Sequence, residues 1–492
     1  MAKSLSILFV TSEVFPFSKE SGVGDVSYSL PLALREAGND VRVMMPKYGN
    51  ISERKNRIHE INRLRDIPIP MGEFDELATV KSSSIQNPKT KVQAYITTNY
   101  KYFDSLKGVY HDPKSWKPYE NNAERFTFFN RSVIETCLLL GWFPDIIHCN
   151  DWQTALIPAY IKTMYPEEFK NTKTVFTVHN FYQQGSFDKS FFEETGLPES
   201  EMENFIQDDK FNFIKGGVHY SDFITTVSPT YAKEILEDEK YTLGLNKLLK
   251  EKAKEGNYKG ILNGIDEYAW DPGRDNIIKS KYKGDFEEYK YDNKVDLITT
   301  FDFEFDPSKP LITMIPKIGD QKGVPLFIEA ADEIFKNDIQ MILLGEGGSG
   351  LKKQLKEIEE KYPEKFKTVF AFDQEMAHRL EAGSDIFLMP SQYEPCGLNL
   401  MYSMLYGTVP VVRTTGGLND IAKEFDAGSG EGNSFTFEDY SKDALLEAFS
   451  KAVETFKDKE TWMKIVENGM NEDFSWDEGA KEYEEIYKKL KS

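Results

Sequence analysis

The chain has 492 residues, too many for one comfortable hydrophobic core, so two or three domains are expected. Its formal charge is -21, with 81 acidic against 60 basic residues, which disfavours nucleic acid and anionic membrane surfaces as partners. Cys137, Cys149 and Cys396 have no metal-ligand spacing and form no disulfide framework, as expected of a reducing compartment.

Met1-Ala-Lys-Ser runs directly into a short apolar run with no signal-peptide core, and no stretch of about 18 apolar residues follows. A cytoplasmic protein is expected. Residues 6–12 read as a buried strand, leading into a loop at 15–26 that carries Lys19, Gly22, Gly24 and Asp25. A helix to about Ala37 and a strand at 41–45 complete a βαβ opening of the doubly wound type. Residues 121–140 read as a long helix, and 145–149 as a strand followed by Asp151. The strand at 173–178 delivers His179 and Asn180 to its tip, and another at 223–227 is stopped by Ser228-Pro229.

A first α/β domain therefore spans 1–255, and a second spans 256–476. Residues 275–305 are polar and at best helical. The α/β rhythm then resumes, with strands at 311–315, 340–344, 368–371, 385–389 and 409–412. An amphipathic tail helix at 477–492 lies beyond that rhythm and is expected to complete the first domain. The fold class predicted is α/β, with two doubly wound, Rossmann-like domains facing across a cleft.

Polar groups gather where such folds bind ligands, beyond the carboxyl ends of strands. Lys19 stands in a glycine-containing loop before a helix and can meet a phosphate, while Asp25 can bond a sugar hydroxyl. The loop is neither a Walker A sequence nor a complete dinucleotide fingerprint. His179 has no serine or cysteine arranged as a triad and no second histidine at metal spacing, so a hydrogen bond to a substrate hydroxyl suits it. Lys317 and Lys322 share a strand-to-helix loop and can reach one pyrophosphate. Glu394 lies in the turn after 385–389, where the backbone N–H groups of Gly397, Leu398 and Asn399 open a helix that attracts phosphate. No Asp-x-Asp stands at a strand end to hold a divalent ion, so no metal or other cofactor is expected. Together these residues point to glycosyl transfer from a nucleotide sugar, with the departing diphosphate stabilised electrostatically.

The chain resembles the bacterial glycogen synthases and plant starch synthases, retaining glucosyltransferases of the glycosyltransferase-B fold. The resemblance rests on Ser12-Glu-Val-Phe-Pro16, Asp151-Trp152 with Thr154-Ala155-Leu156, His179-Asn180 with Gln184-Gly185, Gly260-Ile-Leu-Asn-Gly-Ile-Asp266, Asp320-Gln-Lys-Gly323 and Glu394-Pro-Cys-Gly-Leu398. It implies transfer of glucose from ADP-glucose to the non-reducing end of an α-1,4-glucan such as glycogen, with retention and without a metal. The residues themselves leave ADP and UDP donors open. By this resemblance Lys19 contacts the donor, Asp25, Asp151, His179 and Asn263 line the sugar and acceptor sites, and Glu13 is an acceptor-side residue. Lys317 and Lys322 would neutralise the diphosphate, Glu394 would lie beside the donor glucose, and Cys396, Gly397, Leu398 and Asn399 would receive the nucleotide.

The family's Lys-Thr-Gly-Gly-Leu loop reads Lys19-Glu-Ser-Gly-Val23 here, which replaces a glycine by Ser21 and adds the charge of Glu20. Lys317 replaces an arginine and loses its planar fork. Asn150 and Gln153 replace histidines on either side of Asp151-Trp152. These departures keep a second reading open, a catalytically weak or non-catalytic glucan- or nucleotide-binding relative that regulates a true synthase.

Overall fold

A computed structural model describes residues 4–306, 308–371 and 373–492. The chain divides into two compact units, Met1–Gly264 with Trp476–Ser492, and Ile265–Ser475.

The sheet of the first unit is built on seven parallel strands: β1 (Ser6–Val10), β2 (Asp40–Pro46), β3 (Lys91–Thr98), β4 (Ile146–Asn150), β5 (Lys173–Thr177), β6 (Phe223–Thr226) and β7 (Tyr258–Gly260). Their order is β7-β6-β5-β4-β1-β2-β3, and the antiparallel strands Phe74–Gln86 and His59–Glu60 extend it beyond β3. The central strands are buried on both faces, the pattern of a parallel sheet covered by helices. The order reverses between β1 and β4, which makes a topological switch point at their carboxyl ends. Helix α1 (Gly22–Glu36) follows β1. The boundary expected at residue 255 falls at Gly264 instead, because Tyr258–Gly260 pairs in parallel with β6.

The second unit repeats the plan. Its parallel strands are β8 (Leu311–Met314), β9 (Gln340–Leu344), β10 (Phe366–Val369), β11 (Ile386–Met389), β12 (Val409–Arg413) and β13 (Phe435–Phe437), in the order β10-β9-β8-β11-β12-β13. The switch point lies between β8 and β11. Strand β10 begins two residues before the expected 368 because Phe366 is fully buried in the core beside Phe327. The polar stretch 275–305 contains helix α2 (Phe286–Thr300), tied down by Lys294, whose ammonium lies 2.7 Å from buried Asp385. Just before it, Trp270 stacks between His378 and Tyr402, at 3.7 and 3.8 Å. Helix α3 (Leu398–Leu405) follows β11.

The tail helix α4 (Asp477–Lys491) belongs to the first unit. Trp476 Nε1 donates to Ser29 Oγ at 2.7 Å, and Tyr487 Oη lies 2.7 Å from His148 Nδ1. Tyr483, Ile486 and Tyr487 bury the apolar stripe that made the tail amphipathic. No helix among the described residues is long and apolar enough to cross a membrane.

Candidate active site

In the first unit the site loop hangs on Glu13, three residues past the end of β1. Its side chain is fully buried, and its carboxylate accepts from Glu20 N (2.6 Å), Ser21 N (3.0 Å), Ser21 Oγ (2.7 Å) and Tyr110 Oη (2.7 Å). Burial outweighs these bonds and raises its carboxyl above the usual range. Glu13 thus positions the loop that carries Lys19. Ser21 has φ -145° and ψ -179°, extended backbone open to any residue, so the loop does not need the family's glycine. Its Oγ also accepts from Val23 N and caps α1. Glu20 turns toward a neighbouring loop, where its carboxylate accepts from Val109 N at 2.5 Å and lies 3.6 Å from His111 Nδ1. Lys19 Nζ pairs with Asp25 at 2.7 Å, and Gly22 is exposed on the first turn of α1.

Across the switch point, Asp151 follows β4 with φ 57° and ψ 178°, a conformation that costs a residue with a Cβ about 1–3 kcal/mol. Its Oδ1 accepts from His179 N at 2.7 Å. Burial raises its carboxyl to about 7, against the pull of the His179 and Asn180 N–H groups. His179, after β5, is buried, which lowers its imidazole to about 3 and keeps it neutral. Asn150 Nδ2 donates to Val10 O at 3.0 Å, so Asn150 Oδ1 is the acceptor for His179 Nε2, also at 3.0 Å. His179 then carries its proton on Nε2 and offers Nδ1 as a lone pair. Asn263 is buried, and its Oδ1 has no hydrogen-bond partner among the described residues.

In the second unit, Lys322 and Glu394 meet at the switch point. Lys322 Nζ is 2.7 Å from Oε1 and 2.5 Å from Oε2 of Glu394, whose side chain is only 6% exposed. Ser391 Oγ donates to Oε2 at 3.2 Å. Gln392 N donates to Gln321 O at 2.9 Å, which ties the Glu394 turn to the lysine loop. Gly323 packs so closely that a Cβ there would lie 1.9 Å from Pro390 O, at φ 72°. From β12, Arg413 Nη1 donates to Gln392 O at 2.7 Å, and Gly417 N donates to Glu394 O at 3.0 Å. Gly397, at φ 104°, turns the chain into α3. Leu398 and Asn399 form the first turn of α3, and Asn399 Nδ2 donates to Ile315 O at 3.1 Å. Cys396 is buried in this turn, and Lys317 pairs through its backbone with Glu346.

The first unit thus gathers Glu13, Lys19, Gly22 and Asp25 on one loop, with Asp151 and His179 on the neighbouring strand ends. The second gathers Lys322 with Glu394 and the α3 turn. Sequence reasoning missed Tyr110 and Ser391, whose hydroxyls donate to Glu13 and Glu394, and Gln321 and Arg413, which act through backbone carbonyls. Arg413 alone had a visible signal, a charge ending an apolar strand. Among the described residues, no group of three or more His, Cys, Asp or Glu is placed to hold a metal ion.

The starch synthase catalytic domain family matches residues 6–251, and the glycosyl transferases group 1 family matches 298–471. The chain is 36% identical to a glycogen synthase of Chlorobaculum parvum over 99% of both chains. It is 39% identical to one of Thermotoga maritima, again over 99% of both. The catalytic domain of starch synthase IV from Arabidopsis thaliana, solved bound to ADP and acarbose, superposes with a TM-score of 0.90 at 28% identity, covering 99% of this chain and 100% of that one. Both units carry the α/β architecture of the glycosyltransferase-B fold. The chain belongs to the glycogen synthase and starch synthase family, and it is a hexosyltransferase of that family.

Proposed function

We propose that the chain transfers glucose from ADP-glucose to the non-reducing end of an α-1,4-glucan such as glycogen, with retention and without a metal. The observation that carries this reading is the Lys322–Glu394 pair at the second unit's switch point, with the N-terminus of α3 beside it. The related starch synthase bound to ADP supports an adenine nucleotide as donor.

We assign the donor nucleotide to the second unit and the glucan to the first. The bond from the anomeric carbon to the β-phosphate breaks, and its electron pair leaves with ADP. Lys317, Lys322 and the first-turn N–H groups of α3 stabilise that growing charge. The acceptor hydroxyl forms the new bond on the same face, and its proton passes to the departing phosphate. Glu394 orients the donor glucose and stabilises positive charge on its ring, without forming a covalent intermediate. Lys19 contacts the donor, and Asp25, Asp151, the Nδ1 of His179 and the open amide oxygen of Asn263 bond sugar hydroxyls. Cys396 and Gly397 shape the turn that receives the nucleotide.

The departures at Ser21 and Glu20 leave this scheme intact: Ser21 sits in unstrained backbone, and Glu20 is held by Val109 N. The regulatory reading keeps only Lys317 as support. Three buried, free cysteines suit a cytoplasmic enzyme, where no nucleic acid or membrane need take part. Incubation with radiolabelled ADP-glucose and glycogen tests the proposal. Label in polymer is expected; normal binding of both ligands with no transfer would leave only the regulatory reading.

A further inference from the structure

The first unit carries a second concave surface, which shares Phe15, Pro16 and Phe17 with the start of the Lys19 loop. It is a cavity of about 880 Å3 lined by α1, β2, β3 and the antiparallel strand Phe74–Gln86. Among its described lining residues, Arg35, Arg42, Lys55, Arg57 and Lys91 stand against one acid, Asp40. That balance reverses the chain's own, which has 81 acidic and 60 basic residues. Asp40 is shared by Arg35 and Arg42, at 3.4 and 3.7 Å. Lys55, Arg57 and Lys91 are exposed lining residues that make no ion pair within 4.0 Å among the described residues, which leaves them available to an anion.

The remaining walls are suited to a sugar. Ser82, Ser84 and Gln93 supply hydroxyl and amide groups. Phe15 and Tyr28, edge to face at 5.5 Å, supply an apolar wall for ring C–H groups. We propose that this cavity binds a small phosphorylated sugar, with Arg57, Lys55 and Lys91 on its phosphate and the serines and Gln93 on its hydroxyls.

The cavity is joined to the candidate active site by covalent and hydrogen-bonded paths. Phe15 and Phe17 run straight into Lys19, and Phe15 N donates to Gly24 O at 3.0 Å. Tyr28 and Arg35 stand on α1, which starts at the same loop.

Binding does not depend on the glucosyltransferase reading, because it is read without donor or glucan. Calorimetric titration of the full chain with fructose 1,6-bisphosphate at low salt is expected to show one saturable site. Fructose should not bind, and inorganic phosphate should bind more weakly. The double variant Arg57→Ala/Lys91→Ala should bind about tenfold more weakly or worse, with Lys55→Ala as a milder single change should the pair fail to fold. Lys322→Ala should leave the titration unchanged. No binding at millimolar bisphosphate would overturn the proposal, as would binding unaffected by the cavity variants or abolished by Lys322→Ala. Phosphate binding as tightly as the bisphosphate would remove the sugar from it.

Discussion

Lys322 Nζ touches both carboxylate oxygens of Glu394, at 2.7 and 2.5 Å, in a turn where the glutamate is almost wholly buried. The ammonium is thereby fixed at the carboxyl end of β11, where the proposed mechanism shares it with the departing diphosphate. Lys322→Met removes that charge and leaves Glu394 buried without its cation. A fall in kcat of about a hundredfold to a thousandfold is expected, along with a lower Tm. Initial rates and melting curves check it; an unchanged kcat would detach Lys322 from the diphosphate.

Lys317→Arg should act in the opposite direction. The guanidinium restores a planar fork that can hold two phosphate oxygens at once, where an ammonium acts as a point charge. One added hydrogen bond in the transition state corresponds to roughly a tenfold increase in kcat. Steady-state rates with ADP-glucose decide it, and a flat response argues against a diphosphate role.

Ser21→Gly tests the loop in this chain's own setting. The change restores the family residue yet removes the hydroxyl that donates to Glu13 and accepts from Val23 N. A loss of about 1–3 kcal/mol of stability is expected, since a buried carboxylate loses a partner. KM for ADP-glucose should rise severalfold with kcat little changed. A variant as stable as the parent would show that Glu13 does not depend on the serine.

The strand ends that carry the candidate residues were legible in the sequence. Short apolar runs such as 386–389 end at polar residues, and a doubly wound sheet must place those residues together. The Glu13 hub was not legible. Its partner Tyr110 lies 97 positions away, in a stretch with no motif. The harmless geometry of Ser21 was equally hidden, because a family glycine signals freedom of φ without stating which φ the chain uses. Strand β13, too short and too mixed to show an apolar run, was missed for the same local reason.

Burial raises the Asp151 carboxyl to about 7, so the folded state holds its proton more tightly than the unfolded chain, where the ordinary value is about 3.9. The stability this contributes is complete below the unfolded value and is lost as pH rises through about 7. Asp151→Asn cannot ionise. Its Tm relative to the parent should therefore shift in the variant's favour between about pH 4 and about pH 7. A difference independent of pH would contradict the raised carboxyl.

Tyr487 fastens the tail helix to the first unit through His148, and it is fully buried. Tyr487→Ala is expected to cost about 3–5 kcal/mol, read as a lower midpoint in denaturant. A loss below about 1 kcal/mol, the scale of an ordinary surface change, would mean that the tail contributes little.

The most direct test of the Glu394 assignment is glucosyl transfer by Glu394→Gln, measured beside ADP binding by the same variant. Glutamine keeps the shape of the side chain and an oxygen for Lys322, and removes only the negative charge. ADP affinity close to the parent's, with kcat reduced about a hundredfold or more, is the expected result. A variant that binds ADP and transfers glucose at the parental rate would contradict the placement of this carboxylate beside the reacting sugar.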